Sequence, residues 1–160
     1  MAKIQYKKER AFKWFETLRG LIGNNRIFVW DRAELMWIGK DRNYWKELGY
    51  ESYNQFINDP ELLIKRSVAY RDVSVYQRFV IDFKIPIKEL YGINIGRLDA
   101  VVNKIEKKDA GEWVEKARNQ SNSDYAIEVK QLGRDLNSCK HEHVKTYPAK
   151  EVCSDCGERL

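Results

Sequence analysis

The segment that decides the fold is SYNQFINDPELLIKRSVAYRDVSVYQRFVID, residues 52–82. Ser52 is suited to cap a short helix, because its hydroxyl can accept a hydrogen bond from a backbone N–H of the first turn. Asp59-Pro60 then ends that helix, since proline disfavours helical geometry in the residue before it. Ser67 is placed to cap a longer helix from Val68 to Asp82. A short helix, a brief turn and a longer helix with a polar start predict a helix-turn-helix.

The longer helix has two chemically different sides. Apolar residues recur at helical spacing along the side that should face inward: Ala69, Val73, Tyr76, Phe79 and Val80. The outer side and the start of the helix carry the candidate nucleic-acid-binding residues: Lys65, Arg66, Ser67, Tyr70, Arg71 and Arg78. Arginine suits phosphate or guanine, serine suits phosphate, and tyrosine suits the backbone or a thymine methyl group. The alternative is a solvated basic face on an ordinary helix.

Helical spacing of apolar residues extends over most of the chain before residue 137, and three prolines leave long uninterrupted stretches. We expect further helices over 4–22, 27–48, 87–90, 95–105 and 110–118, and a last one capped by Ser121 or Ser123 and ending at Leu136. The predicted fold class is all-α: a helical bundle that contains a helix-turn-helix, followed by a small C-terminal zinc knuckle or ribbon. Its predicted divisions are N-terminal helices (1–48), the helix-turn-helix with the following bundle (49–136) and the zinc knuckle (137–160).

All three cysteines and both histidines of the chain lie in its last 22 residues. Cys153 and Cys156 form a Cys-x-x-Cys-Gly turn, in which two thiolates can converge on one ion. Cys139 and either His141 or His143 complete a tetrahedral Cys₃His set, and the shorter Cys-x-His spacing favours His141. We therefore expect one structural Zn²⁺ per chain. The alternative is a polar tail with reduced or redox-active thiols.

The 160 residues are 43% hydrophobic and 33% charged, which is typical of a soluble globular protein. The sequence contains no long apolar run, so we expect no membrane association and a cytoplasmic location. A net charge of +5 is compatible with a polyanionic partner without requiring one. Nucleophile elbows, phosphate-binding loops and glycine-rich fingerprints are missing from the sequence, so we do not expect an enzyme.

Three stretches carry a resemblance to known proteins: WKELGYESYNQF (45–56), IKRSVAYR (64–71) and YQRFV (76–80). They resemble small helix-turn-helix proteins of bacteriophages, prophages and plasmids, which typically read LGY-x-S-x-x-x-[FY] and then ISRSTAYR. Later stretches, IGRL (95–98), EWVEKA (112–117) and SDY (123–125), resemble the helices that follow the helix-turn-helix in ParB/KorB-type partition proteins. The resemblance covers about residues 27–135. It implies a DNA-binding protein of a mobile element in a bacterial or archaeal host cell, with double-stranded DNA as its partner.

The chain departs from this family pattern in the turn. Residues 59–63, DPELL, stand where the family has a Glu-Leu-Gly turn, so this chain has no glycine at the corner.

Two functional classes remain open from the sequence. One is a DNA-binding regulator that reads its site with the helix-turn-helix. The other is a protein-binding effector or adaptor that uses the same scaffold to engage a host or viral machine, because a fold does not define a function.

Overall fold

The computed structural model describes the backbone of residues 2–23, 29–136, 144–147 and 150–153. Its elements up to residue 136 are helical: α1 (Ala2–Gly23), α2 (Val29–Asp41), α3 (Tyr44–Glu47), α4 (Tyr53–Ile57), α5 (Arg66–Tyr76), α6 (Ile87–Leu90), α7 (Ile95–Asp99), α8 (Ala110–Asn119) and α9 (Asn122–Leu136). Short 3₁₀ turns occur at Pro60–Leu62 and Lys107–Asp109, and α5 continues as a π-helix over Gln77–Asp82. The prediction of a helical body is confirmed.

Two strands follow the helices. β1 (Val144–Tyr147) and β2 (Lys150–Cys153) pair antiparallel, with Val144 opposite Cys153 and Tyr147 opposite Lys150. The chain divides into two compact units, residues 1–119 and residues 120–160. The first unit holds α1 to α8, and the second holds α9 and the two strands. The division at residues 48 and 136 that the sequence suggests stays a prediction.

The N-terminal half of the first unit packs around an aromatic core. Phe56 of α4 is fully buried and contacts the rings of Trp14, Phe15, Tyr50 and Tyr53. Among the described side chains of α1, the buried ones recur at helical spacing: Ala11, Trp14, Phe15, Leu18 and Ile22. Gly39 of α2 allows the Trp14 ring of α1 to pack closely against α2, because a β-carbon at Gly39 would lie 2.0 Å from that ring. The helical-spacing argument for α1 is therefore confirmed.

Three helix boundaries differ from the sequence expectation. The predicted helix over 27–48 is two helices, because Asn43 adopts a left-handed backbone conformation (φ 56°) between α2 and α3. The predicted helix over 95–105 ends at Asp99, and turns follow it. The long helix begins at Arg66 with Lys65 at its N-cap, so Ser67 lies inside the first turn and does not cap it. Ser52 does cap α4, because its hydroxyl accepts a hydrogen bond from the Gln55 N–H at 3.0 Å.

None of the described helices combines the length and the apolar character that crossing a lipid bilayer requires.

Candidate nucleic-acid interface

The start of α5 is the exposed end of the helix. Lys65, Arg66 and Ser67 are exposed, whereas Ala69, Asp72 and Val73 further along the same helix are buried. The first N–H groups of a helix have no partner within it and carry a partial positive charge. Two cationic side chains and a hydroxyl therefore stand beside a helix terminus that itself favours anions.

Two tyrosine rings connect this terminus to the end of α2. The Arg66 guanidinium carbon lies 5.6 Å from the centre of the Tyr70 ring, and Tyr70 packs edge-on against Tyr53 at 6.2 Å. The Lys40 ammonium lies 5.8 Å from the centre of the Tyr53 ring. We call the surface formed by Lys40, Lys65, Arg66 and Tyr70 the basic face; the buried Tyr53 ring contacts it at Lys40 and Tyr70. Cations held on aromatic rings in this way keep their charge while losing some of their freedom of movement.

Arg71 is engaged inside the molecule. Its Nε and Nη2 donate to Asp72 Oδ1 at 3.2 and 3.0 Å. Asp72 is fully buried, and its Oδ2 accepts from Arg32 Nε at 2.8 Å and from Nη2 at 2.6 Å. Burial raises the pKa of Asp72, and the two guanidinium groups oppose that shift. Arg71 thus serves a buried ionic cluster that ties α5 to α2.

Arg78, from the π-helical segment, is also used internally. Its Nη2 donates to the Ile105 carbonyl at 3.3 Å, and its guanidinium carbon lies 4.6 Å from the centre of the Phe83 ring. An ion pair with Asp82 at 3.9 Å completes these contacts. Arg78 therefore connects the end of the long helix to the turn that follows α7.

The turn before α5 contains a strained apolar residue. Leu63 has φ 50° and ψ 28°, and 84% of its surface is exposed. A left-handed conformation is costly for a residue that has a β-carbon. The turn itself is fixed by Asp59, which accepts hydrogen bonds from the Glu61 N–H at 2.7 Å and from the Tyr50 hydroxyl at 2.5 Å. Leu63 thus holds the left-handed corner of the turn in place of a glycine.

The predicted zinc ligands Cys139, His141 and Cys156, and the alternative His143, lie outside the described residues. The backbone of Cys153 is described, and it ends β2 directly opposite Val144 at the start of β1. Segment 139–143, which contains Cys139 and the two candidate histidines, immediately precedes β1 in sequence. Cys156 follows β2 by three residues. Among the described residues, no three His, Cys, Asp or Glu side chains gather into a group that could hold a metal ion.

The sequence candidates therefore fall into two groups. Lys65, Arg66, Ser67 and Tyr70 lie together at the exposed start of α5, whereas Arg71 and Arg78 make internal contacts. Lys40 joins the first group through the tyrosine pair, although it was not among the residues predicted from the sequence. The only sequence signal for Lys40 is a lysine near the end of a helix, and such residues are common at any solvated helix terminus.

Comparison of the chain with protein-family models, with curated proteins and with solved structures gives no significant match.

Proposed function

We propose that this chain binds double-stranded DNA, with α4 and α5 acting as a helix-turn-helix and the basic face lying against the duplex. The observation that carries the proposal is the exposed start of α5. There Lys65, Arg66 and Ser67 project, and Arg66 rests on the Tyr70 ring. In helix-turn-helix proteins, the N-terminal residues of the second helix contact base edges in the major groove.

The contacts differ in role along the basic face. Arg66 is assigned to a guanine edge or a phosphate, and Ser67 to a phosphate, because their positions at the helix start match these roles. Lys40 and Lys65 are assigned to phosphates, which position the protein without reading sequence. The assignments of Arg71 and Arg78 to DNA are set aside in favour of Lys40, since Arg71 is paired with the buried Asp72, and Arg78 donates to the Ile105 carbonyl and forms an exposed ion pair with Asp82.

A salt titration tests the phosphate contacts. Each neutralised phosphate adds about −0.9 to the slope of log K against log salt concentration for duplex DNA. We expect Lys40→Gln to reduce that slope by about 1 and to weaken binding to all sequences alike. Lys88→Gln is the matched control, because Lys88 is exposed on α6 outside the basic face. An unchanged slope in Lys40→Gln would remove Lys40 from the interface.

We also propose one structural Zn²⁺ per chain, bound by Cys139, His141, Cys153 and Cys156. The pairing of Val144 with Cys153 supports this, because both ligand-bearing segments leave the same end of the hairpin. Opposed residues in an antiparallel pair are about 5 Å apart, and each further residue adds at most about 3.8 Å of reach. Four protein ligands leave no position open for water, as in structural zinc sites. Binding of such a metal would supply folding free energy to this segment.

Metal analysis of freshly purified protein tests this proposal. We expect one zinc per chain in the wild type and in Ser154→Ala, and loss of zinc in Cys156→Ser. Because α1 to α8 have their own core, Cys156→Ser should keep most of the helical circular dichroism signal. Zinc-free wild-type protein would refute the metal site. Loss of most helical signal in Cys156→Ser would show that the hairpin and the helices fold as one cooperative unit.

A protein-binding effector is the second candidate function, and Leu63 favours it. An exposed leucine in a strained conformation at the tip of a turn is unusual, and strained residues cluster at functional sites. This candidate predicts a stoichiometric protein partner that binds without nucleic acid and is lost in Leu63→Asp. Persistence of that partner in Leu63→Asp would exclude Leu63 from the contact.

A further inference from the structure

A cavity of about 750 Å³ lies between the end of α2, the long helix from α5 into its π-helical segment, and the turn that follows α7. Its size falls within the range of small-molecule sites. Its aromatic and aliphatic walls come from Trp37, Tyr70, Val73 and Val102. We call it the Trp37 cavity.

Both aromatic rings of the Trp37 cavity are held in place by their neighbours. The Trp37 Nε1 donates to Gln77 Oε1, and the Trp37 ring packs against Tyr76 with 5.6 Å between ring centres. The Tyr70 ring packs edge-on against Tyr53 at 6.2 Å. Aromatic side chains bind planar bases by stacking, and stacking tolerates any base because every base has a flat face. Two rings fixed in this way therefore favour a flat aromatic ligand.

The π-helical segment Gln77–Asp82 supplies hydrogen-bonding groups to the Trp37 cavity. The Phe83 N–H donates to the Arg78 carbonyl at 3.0 Å, which is the five-residue spacing of a π-turn, and such turns are frequent at functional sites. The Gln77 side chain accepts from Trp37 and donates from its Nε2 to Asp82 Oδ1 at 2.7 Å. The amide and the carboxylate are thus oriented before any ligand binds.

The charges of the described lining residues balance, because Lys40 and Arg78 are matched by Asp41 and Asp82. A balanced lining favours a neutral polar ligand over a strongly charged one. Ser74 and Asn103 are exposed and also line the cavity. Carboxylate, hydroxyl and amide oxygens accept from a ligand N–H, and hydroxyl and amide groups donate to a ring nitrogen or a carbonyl oxygen.

We infer that the Trp37 cavity binds a neutral, planar heterocycle of the nucleobase kind, with its face on the aromatic wall and its polar edge on Gln77, Asp82 and Asn103. Side-chain amides pair with base edges in this way, because they present a donor and an acceptor side by side. Lys40 and Tyr70 belong both to this cavity and to the basic face. The inference stands on the lining of the cavity, and it does not depend on DNA binding.

Calorimetric titration of the full chain with adenosine, guanosine, cytidine and uridine tests the site, with indole as a flat ring that lacks an acceptor edge. We expect the wild type to bind at least one nucleoside, and to bind it more tightly than indole. Ser74→Phe fills the cavity from an exposed position of α5 and should abolish nucleoside binding. Thr17→Phe, at an exposed position of α1 outside the cavity, is the matched control and should bind like the wild type.

Asn103→Ala keeps the test decisive if Ser74→Phe fails to fold. It removes one polar contact and should bind the nucleoside about two- to tenfold more weakly, whereas Asn119→Ala on α8 should not change the affinity. No heat with any of the four nucleosides, equal affinity for indole, or unchanged affinities in Ser74→Phe and Asn103→Ala would overturn the inference.

A competition experiment separates the two sources of such a ligand. Stronger displacement of the bound nucleoside by a duplex with one bulged base than by a perfect duplex identifies a base extruded from DNA. Equal effects of the two duplexes identify a free nucleoside.

Discussion

Arg66 and Arg71 lie five residues apart on the same helix, yet the structure uses them in opposite ways. Arg66 is exposed and rests on the Tyr70 ring, whereas Arg71 is paired with the fully buried Asp72. Both residues are arginines, so the difference arises from the groups that they contact. The Arg66 guanidinium contacts the Tyr70 ring, and the Arg71 guanidinium contacts the Asp72 carboxylate. Two arginines near the start of one helix can therefore have different roles. Arg66 remains exposed to solvent, where a polyanion could reach it, and Arg71 stabilises the packing of α5 against α2.

The largest expected effect is on the buried side of this comparison. Asp72→Asn leaves Arg32 and Arg71 without their counter-charge, and breaking a buried ion pair in this way costs about 3–5 kcal/mol. Urea unfolding should show a lower midpoint with an unchanged slope. Asp99→Asn, an exposed carboxylate on α7, is the control and should change stability by less than about 0.5 kcal/mol. A loss of under about 1 kcal/mol in Asp72→Asn would show that Arg32–Asp72 is not structural.

The two arginines themselves should differ in stability. Arg71→Gln removes two hydrogen bonds to a buried carboxylate and should lower the unfolding free energy by about 1–2 kcal/mol, since Arg71 is partly exposed. Arg66→Gln should stay within about 0.5 kcal/mol of the wild type. Thermal unfolding of both variants in parallel measures the difference. Equal losses would contradict the division of roles.

A smaller effect of opposite sign is expected in the turn before α5. Leu63→Gly should raise stability by about 0.5–1 kcal/mol, because glycine adopts φ 50° without the steric cost and the exposed leucine loses little burial. Leu63→Ala keeps a β-carbon in the same conformation and is the matched control, with no gain expected. Chemical denaturation of both variants decides the point, and a destabilised Leu63→Gly would indicate that the side chain packs usefully.

The smallest effect concerns the same turn at alkaline pH. Burial and the hydrogen bond to Asp59 raise the pKa of Tyr50 to about 12, from an ordinary value near 10. The unfolded chain therefore loses the Tyr50 proton first, so this stabilisation is complete below pH 10 and is lost as the pH rises toward 12. Stability measured from pH 9 to 12 should fall less steeply in Tyr50→Phe than in the wild type. Identical profiles would place the Tyr50 hydroxyl in ordinary solvent.

Apolar spacing predicted the helices well, because burial of a regular stripe is a local property of the sequence. It predicted the course of α1 and the inward positions Ala69, Val73, Tyr76 and Phe79 of the long helix. The burial of Asp72 was not predictable in this way, since its partner Arg32 lies 40 residues earlier in the chain. The left-handed backbone conformations of Asn43 and Leu63 were not predicted either, because neither position carries the glycine that usually indicates such a conformation.

The residues of the candidate site were also predictable only where they depend on local sequence pattern. The start of α5 follows from local pattern, so Lys65, Arg66 and Ser67 were identified. Lys40 depends on a contact between two tyrosines from different helices, and the sequence gives no sign of that pairing. The zinc ligands remain a prediction from spacing.

DNA binding by the basic face can be measured by fluorescence anisotropy on a random duplex pool and on any selected site, with wild type beside Arg66→Ala and Arg71→Ala at low and moderate salt. If the basic face binds DNA, Arg66→Ala should lose about 1–3 kcal/mol for a base contact, and more than Arg71→Ala loses in the folded state. Equal affinities for the three proteins, a larger loss in Arg71→Ala, or no binding of the wild type at low salt would contradict the account.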